Sequence, residues 1–214
     1  MKTTLLALGT AAFMLAGTAA CGGDEGGTGQ ASPSATATAT SSATASHNEQ
    51  DVMFAQMMIP HHRQAVQMSE IVADKSGNAE VKRLARQIEQ AQAPEIETMT
   101  GWLKRWGATV PPEGGGAPSG GHGGHGDGGQ DGAGQDGAGM PGMMTPEQMG
   151  ELKKATGAGL DRMFLTMMIE HHEGAVAMAE DEQAKGADPE AKKLAGTIIK
   201  TQQDEIAKMR ALLK

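Results

Sequence analysis

The chain is poor in the residues that usually stabilise a small domain or equip it for catalysis. Of its 214 residues one is a cysteine, none is a tyrosine, and aromatic residues make up 2%. A single cysteine excludes an intramolecular disulfide and every Cys-x-x-Cys motif. No nucleophile constellation occurs, and no glycine-rich loop has the strand–loop–helix context of a phosphate site. The sequence therefore predicts a domain held together by packing alone, with no recognisable catalytic motif.

Basic residues are also in the minority. Lys and Arg number 18 against 26 Asp and Glu, for a net charge of −8. Removal of an N-terminal signal that contains Lys2 takes the net charge to −9. A surface of this charge repels nucleic acid and anionic lipid headgroups, and it concentrates cations. We therefore expect no nucleic-acid partner.

The N-terminal segment has the composition of a bacterial export signal. A charged start at Lys2 precedes an apolar run over residues 5–16, which is too short to span a bilayer as a helix. Residues 1–20 resemble a lipoprotein signal peptide, after which Cys21 becomes the lipidated first residue. An ordinary secretory signal cleaved near Ala20 is the alternative. Both predict export, and the first predicts a membrane-anchored lipoprotein at the cell surface or in the periplasm.

Composition divides the rest of the chain into four segments. Residues 21–45 contain no large apolar side chain and are typical of a disordered tether. Residues 46–106 and 144–214 are helix-forming. Residues 107–143 hold most of the glycine and are typical of a flexible linker. The two helix-forming segments together suit a single small domain.

The two helix-forming segments are copies of one another. Residues 51–104 align on 161–214 without a gap, and 24 of the 54 positions are identical. Each copy is predicted to form a helical hairpin that packs against the other. The first helix of the first copy is expected over 47–74, with Ser46 and Glu49 spaced as a capping box.

The second helix of each hairpin begins at a strong cap signal, which is Asn78 in the first copy and Asp188 before Pro189 in the second. A short helical lead-in over 145–148 precedes the second copy. Strand signals are absent. Two hairpins predict an all-α four-helix bundle, with 107–143 as the long crossover connection.

Methionine and histidine recur together once in each copy. The run Met57-Met58-Ile59-Pro60-His61-His62 returns as Met167-Met168-Ile169-Glu170-His171-His172. Thioether and imidazole are ligands for soft or borderline transition metals. Methionine at helical spacing is usually core packing, yet the 14 methionines after residue 20 include five repeat pairs, against two phenylalanines. The pattern therefore predicts a metal site that uses some of these methionines.

Helical periodicity places His61, His171, Glu95 and Glu205 on inward-facing stripes. A buried imidazole or carboxylate needs a partner or a metal. The alternative is a neutral His61–Glu95 hydrogen-bond network that only fixes register. His62 and His172 are expected nearer the edge of the interface. Further ligands or supporting residues are expected among Met53, Met68, Gln92, Glu95, Met163, Met178, Gln202 and Glu205.

The copies differ at the level of the motif. Pro60 and Pro94 remove backbone hydrogen bonds in the first hairpin, and their counterparts are Glu170 and Asp204. We therefore predict two unequal half-sites that meet in one bundle.

The motif resembles the signature of a bacterial family of CopM-like domains, catalogued as of unknown function and placed among ferritin-like four-helix bundles. The helix-2 pattern Gln92-x-x-Glu95-Ile96-x-x-Met99 is similar to that family as well. The resemblance implies binding of copper, as Cu(I) or Cu(II), and a part in copper tolerance. The linker, with His122 and His125, is not part of the family pattern; we interpret it as an incidental spacer, with loose metal collection as the alternative. The ligands that the resemblance implies are Met57, Met58, His61, His62, Met167, Met168, His171 and His172.

We therefore expect an extracytoplasmic copper-binding lipoprotein that sequesters copper or delivers it to an unidentified partner protein, and that is not an enzyme. One alternative is a ferritin-like redox enzyme using Glu95, Glu205, His61 and His171, although such sites usually have four carboxylates and a Glu-x-x-His spacing. The other alternative is a structural bundle without metal.

Overall fold

The computed structural model describes residues 47–113 and 140–214, which leaves the signal, Cys21, the tether, His122 and His125 outside the described residues. Within these ranges the chain contains helices and no strand, so the all-α prediction is confirmed. No helix in the described part is long and apolar enough to cross a membrane. The helices are α1 (Glu49–Lys75), α2 (Ala79–Arg105), α3 (Pro146–Lys154), α4 (Gly157–Lys185) and α5 (Pro189–Leu212).

The first helix begins two residues later than the sequence predicts. Asn48 caps α1 and forms a capping box with Asp51, so the predicted box of Ser46 and Glu49 is wrong. The Asn48 side chain accepts from the Asp51 backbone N–H at 3.1 Å, and the Asp51 carboxylate accepts from the Asn48 N–H at 2.6 Å. Asp51 is also buried against the other hairpin, a tertiary role that local spacing does not reveal.

The other helix starts agree with the sequence. Asn78 caps α2 and Asp188 caps α5, each accepting hydrogen bonds from two backbone N–H groups of the first turn. The predicted lead-in before the second copy forms α3, where Thr145 and Gln148 make a reciprocal capping box.

The two hairpins, α1–α2 and α4–α5, meet through α1 and α4, while α2 and α5 lie on the outside and scarcely touch. One apolar cluster joins the start of α1, around Phe54 and Met58, to the second half of α4, around Met178. The other joins the second half of α1, around Met68, to the start of α4, around Phe164. The two central helices are therefore antiparallel, and both motifs lie where one cluster gives way to the other.

Helices α1 and α2 each continue through their proline, Pro60 and Pro94. Pro60 is buried, whereas its counterpart Glu170 is exposed. The exposed Asp204, the counterpart of Pro94, pairs with Lys200 at 2.9 Å. The two hairpins thus differ in detail at the level of the motif.

The loop between α4 and α5 rests on two buried carboxyl groups. Asp51 accepts hydrogen bonds from the backbone N–H groups of Ala187 and Asp188, at 3.1 and 2.9 Å. Glu182 lies beside Asp51 and is fully buried. Burial, followed by the neighbouring Asp51 carboxylate, raises the pKa of Glu182 to about 8. The corresponding residue in the first copy is Val72, so only the second hairpin holds an acid at this position.

We expect the protein to lose stability as the pH rises from neutral to alkaline. The folded pKa of Glu182, about 8, lies above its ordinary value of 4.5. The stability gained from its bound proton is therefore complete below that ordinary value and is lost as the pH rises through the folded pKa. Burial raises the pKa of Asp51, but its backbone hydrogen bonds lower that pKa below 3.8 on balance. Asp51 therefore contributes to the pH dependence of stability only in acid. We expect Tm to be about 5 °C lower at pH 9 than at pH 6.

Glu182→Gln and Glu182→Val remove the titrating group, and the second of these installs the residue of the first copy. Thermal melts of both variants at the two pH values are expected to give nearly equal Tm values. A loss of Tm in the variants as large as in the parent protein would show that another group titrates.

Candidate metal centre

Four histidine side chains form the centre of the interface between α1 and α4. His61, His62, His171 and His172 each have no exposed surface. The rings of His61 and His171, one from each hairpin, face each other with centroids 3.7 Å apart and planes inclined by 42°. Apolar clusters lie on both sides of this pair. The motif therefore brings imidazoles from both copies together in a dry environment.

The second histidine of each motif pairs with a glutamate of its own hairpin. The His62 Nε2 lies 2.7 Å from Glu95 Oε2, and the His172 Nε2 lies 2.7 Å from Glu205 Oε2. The alternative of a His61–Glu95 network is therefore wrong, because Glu95 pairs with His62. Successive helical residues point about 100° apart, so one histidine faces the other hairpin and the next faces the second helix of its own.

His62 and His172 lie at the edge of the α1–α4 interface, as expected, where they face Glu95 and Glu205, but this edge is not exposed, because both rings are fully buried. Helices α2 and α5 cover the flanks of α1 and α4, and the glutamates they carry, Glu95 and Glu205, are only partly exposed or buried. The edge of the α1–α4 interface is thus not the edge of the protein.

Several buried imidazole nitrogens have no hydrogen-bond partner within the described residues. They are the Nδ1 atoms of His61, His62 and His172 and both ring nitrogens of His171. The amide of Gln92 and the Oε1 of Gln202 are likewise buried without a partner. An unpaired buried polar group costs about 1–3 kcal/mol. An arrangement that leaves so many of them in one place suits a ligand that accepts their lone pairs.

Hydrogen bonds at Nε2 fix which lone pairs are free. A carbonyl or carboxylate oxygen can only accept, so the Nε2 of His61, beside the Pro141 carbonyl, and those of His62 and His172, beside glutamates, carry the proton. In a neutral ring with Nε2 protonated, the Nδ1 presents a lone pair. His171, with neither nitrogen engaged, presents one in either tautomer.

The central pair is neutral at physiological pH. Burial, followed by the neighbouring His62, lowers the pKa of His61 to about 3. Burial and the neighbouring His61 lower the pKa of His171 well below its ordinary value. Neutral imidazole is the form that binds metals. These two side chains therefore keep their lone pairs free of protons across the physiological range.

A backbone segment that we call the strap, residues 140–144, packs over this centre. The carbonyl of Pro141 accepts a hydrogen bond from His61 Nε2 at 3.1 Å. Gln64 holds the end of the strap, donating to the Met144 carbonyl at 2.8 Å and accepting from its N–H at 2.7 Å. Gly142 has φ +78°, and a Cβ there would lie 3.0 Å from the backbone of His171. Only glycine fits so close to α4 in that conformation.

The strap packs against two residues that occupy equivalent positions in the repeat, Gln64 and Gly174. A Cβ on Gly174 would overlap the Pro141 carbonyl. The sequence predicts residues 140–143 as part of the linker, and neither contact is apparent from it. The sequence does offer one signal for this contact. A glycine, Gly174, stands inside the predicted helix of the second copy where the first copy has Gln64.

The methionines predicted as ligands lie around the imidazoles rather than in one group. Met58 and Met168 are fully buried, each in a different apolar cluster. Met167 is almost buried and Met57 is partly exposed. Among the described residues no three His, Cys, Asp or Glu side chains are arranged as a ready metal site. The described residues therefore offer few pre-arranged donors, of which the central imidazole pair is the closest set from the two hairpins.

Comparison with known proteins identifies relatives of the whole bundle. The family model for a domain of unknown function, DUF305, matches residues 51–213. A DUF305 protein from Streptomyces coelicolor is 34% identical, with a TM-score of 0.63 over 77% of this chain and 91% of that one. A DUF305 fragment from Deinococcus radiodurans is 30% identical, with a TM-score of 0.62 over 78% of this chain and 97% of that one.

The structures of CopM are similar as well. The Cu(II)-bound form is 34% identical, with a TM-score of 0.59 over 76% of this chain and 95% of that one. The Cu(I)-bound form is 31% identical, with a TM-score of 0.57 over 76% and 94%. No curated protein matches the chain. The predicted kinship with CopM-like domains is confirmed, and the chain belongs to the DUF305 family of helical proteins.

Proposed function

We propose that this protein binds monovalent copper, Cu(I), at the buried imidazoles and holds it outside the cytoplasm for storage or delivery. The observation that carries the proposal is the set of unpartnered ring nitrogens around His61 and His171. CopM, about 30% identical, has been solved with Cu(I), Cu(II) and silver bound. This similarity supports a copper-related function for the present chain.

The chemistry of the centre favours Cu(I) over Cu(II). Removing a divalent ion from water costs much more than removing a monovalent one, and the centre has no exposed histidine surface. Imidazole and thioether are neutral donors that suit a soft ion of low coordination number. The nearest anions, Glu95 and Glu205, are hydrogen-bonded to His62 and His172. They stabilise those rings and partly balance the charge of a bound cation.

The proposed ligands comprise a central pair and several further candidates. His61 and His171 supply the first two donors, and His62 and His172 stand beside them as further ligands or as support. Met58 and Met168, buried on opposite sides of the pair, are the thioethers best placed to complete the shell. Met57 and Met167 remain proposed ligands of the motif.

The proposal is one of binding and transfer rather than of catalysis. Glu95 and Glu205, the carboxylates on which a ferritin-like redox site would depend, are engaged with imidazoles. For the cellular location, the Streptomyces coelicolor relative is assigned as a secreted protein, and we propose export followed by lipid anchoring through Cys21. Membrane fractionation of a Cys21→Ala chain tests the anchor, because a variant that stays with the membrane would contradict it.

Replacing both central imidazoles, His61→Ala with His171→Ala, is expected to weaken Cu(I) binding at least a hundredfold. Loss of a supporting residue alone costs about 10–100-fold in metal affinity, and two direct donors contribute more. The measurement is competition for Cu(I) with a chromophoric chelator under reducing conditions. Circular dichroism of the metal-free variant checks that the helices are intact.

His47→Ala is the matched control, because His47 is an exposed imidazole stacked on Trp106 at 4.9 Å, away from the centre. We expect its Cu(I) affinity to equal that of the parent protein. If the double variant still competes for Cu(I) as strongly as this control, the imidazole centre is not the copper site.

A further inference from the structure

A cleft opens to solvent between the first half of α1 and the second half of α4, on the side that carries the strap. Its volume is about 310 Å³, and three thioethers line it, those of Met53, Met57 and Met178. We call it the methionine cleft. Met53 and Met57 are one helical turn apart on α1, so they share a face, and Met178 faces them from α4. Two helices thus present three soft donors to one space.

Two of the methionines in this cleft are more exposed than apolar side chains usually are. Met53 is 48% exposed, the one large hydrophobic residue in the described part with so much surface. Met57 is partly exposed and Met178 is 8% exposed at the floor. A methionine in water gives up the burial that normally justifies its use. A role for the sulfur atoms accounts for keeping them at the surface.

The repeat supplies an internal comparison. The counterparts of Met53, Met57 and Met178 are Met163, Met167 and Met68. Met68 and Met167 are buried in one apolar cluster with side chains of α3, and Met163 packs against it. Helix α3 has no equivalent before the first copy among the described residues. The three positions are therefore packed together in one half, whereas in the other half only Met178 is buried, and Met53 and Met57 face an open cleft.

The cleft also adjoins the imidazole centre. Pro141 lines it and, through its carbonyl, accepts the hydrogen bond of His61. Met57 lies one turn before His61 on α1. No Lys or Arg lines the cleft, and its one carboxylate, Asp181, pairs with Lys185 at 2.7 Å. The surroundings thus do not repel a cation, and they offer one carboxylate where hard divalent ions prefer several oxygen ligands.

We propose that the methionine cleft is a second metal site, in which the three thioethers bind a soft monovalent cation, Cu(I) or Ag(I), and pass it by ligand exchange to the buried imidazoles. The binding step stands on the cleft alone, and the transfer step rests on the proposed function. The strap forms the wall between the two sites. No change of oxidation state is involved.

The test uses Ag(I) as the probe and full-length protein labelled with ¹³C at the methionine methyl groups. In the His61→Ala/His171→Ala variant, one equivalent of Ag(I) is expected to shift the methyl signals of Met53, Met57 and Met178 and to leave that of Met163 in place. Replacing the three cleft residues by leucine, which has a similar volume, is expected to weaken this binding at least tenfold, equivalent to about 1.4 kcal/mol. Met163→Leu, at the repeat position of Met53, is the control.

The outcomes separate the two proposals. Unmoved cleft methyls at one equivalent, or triple-leucine binding as tight as that of Met163→Leu, would overturn the cleft site. Shifted cleft methyls in the double-histidine variant support the cleft even if the buried imidazoles prove to bind nothing. For the transfer step, Ag(I) loading of the imidazoles, followed by histidine ring signals, is expected to slow about tenfold in the triple-leucine variant. An unchanged loading rate would overturn the transfer.

Discussion

Replacing His171 with leucine is expected to stabilise the metal-free protein while it removes metal binding. The His171 ring is fully buried, and neither of its nitrogens has a partner in the described part of the chain. Such an unpaired group costs about 1–3 kcal/mol, and leucine fills a similar volume without polar atoms. A gain of 1 kcal/mol corresponds to about 4–8 °C in a small domain, so we expect Tm of the metal-free variant to rise by about 5 °C.

The order of stabilities is expected to reverse once copper is present. A ligand that binds only the folded state, at a free concentration a thousand times its Kd, adds about 4 kcal/mol. We expect the parent protein to gain this stability on Cu(I) addition under reducing conditions and His171→Leu not to gain it. In thermal melts we therefore expect His171→Leu to have the higher Tm without Cu(I) and the parent protein to have the higher Tm with Cu(I). A metal-free Tm of His171→Leu below that of the parent would mean that the imidazole stabilises the bundle in its own right.

Replacing Gly174 with alanine is expected to destabilise the protein, although the same change within a helix usually stabilises it by about 0.5–1 kcal/mol. The added methyl group would overlap the backbone carbonyl of Pro141. Backbone cannot rotate away as a side-chain end can, so the strap must lift and His61 loses its hydrogen bond. Overpacking of this kind costs about 1–3 kcal/mol, which we expect to appear as a Tm about 5–10 °C lower.

Gly101→Ala is the control for this change, because the nearest atom to a Cβ at that position is the Arg105 Nη1, at 3.9 Å. We expect Gly101→Ala to leave Tm unchanged or to raise it. Lifting the strap is also expected to speed the removal of bound copper by a chelator in Gly174→Ala alone. Equal Tm shifts in the two variants would show that the strap does not press on Gly174.

The architecture was open to prediction because it depends on periodic patterns. The stripe through Phe54, Met58, His61, Ala65 and Met68 is buried along α1 as its spacing predicts. The cap signals at Asn78 and Asp188 mark where α2 and α5 begin. A gap-free repeat then implies that whatever faces inward in one hairpin does so in the other. Local chemistry and repetition together were enough to bring His61 and His171 together.

The partners of the site residues were not open to prediction in the same way. Periodicity assigns a residue to a face, but it does not say whether a neighbour at the edge of that face is covered. His62 falls outside the predicted stripe, yet the flanking α2 buries it against Glu95. The strap presents a harder case, since no local pattern links Pro141 to His61, 80 residues earlier. Contacts of this kind depend on the path of the backbone in three dimensions.

The split of the centre between two hairpins has a thermodynamic consequence. Each hairpin brings one ring of the central pair, so the proposed metal site is complete only when the two halves of the chain are associated. The connection between them acts as an effective concentration, and each doubling of its length adds about 0.6 kcal/mol to the closure entropy. Under the proposed function, the free energy of assembling the site is therefore expected to depend on the length of this connection as well as on the ligands. An ion bound to both rings would in turn tie the two halves of the chain together.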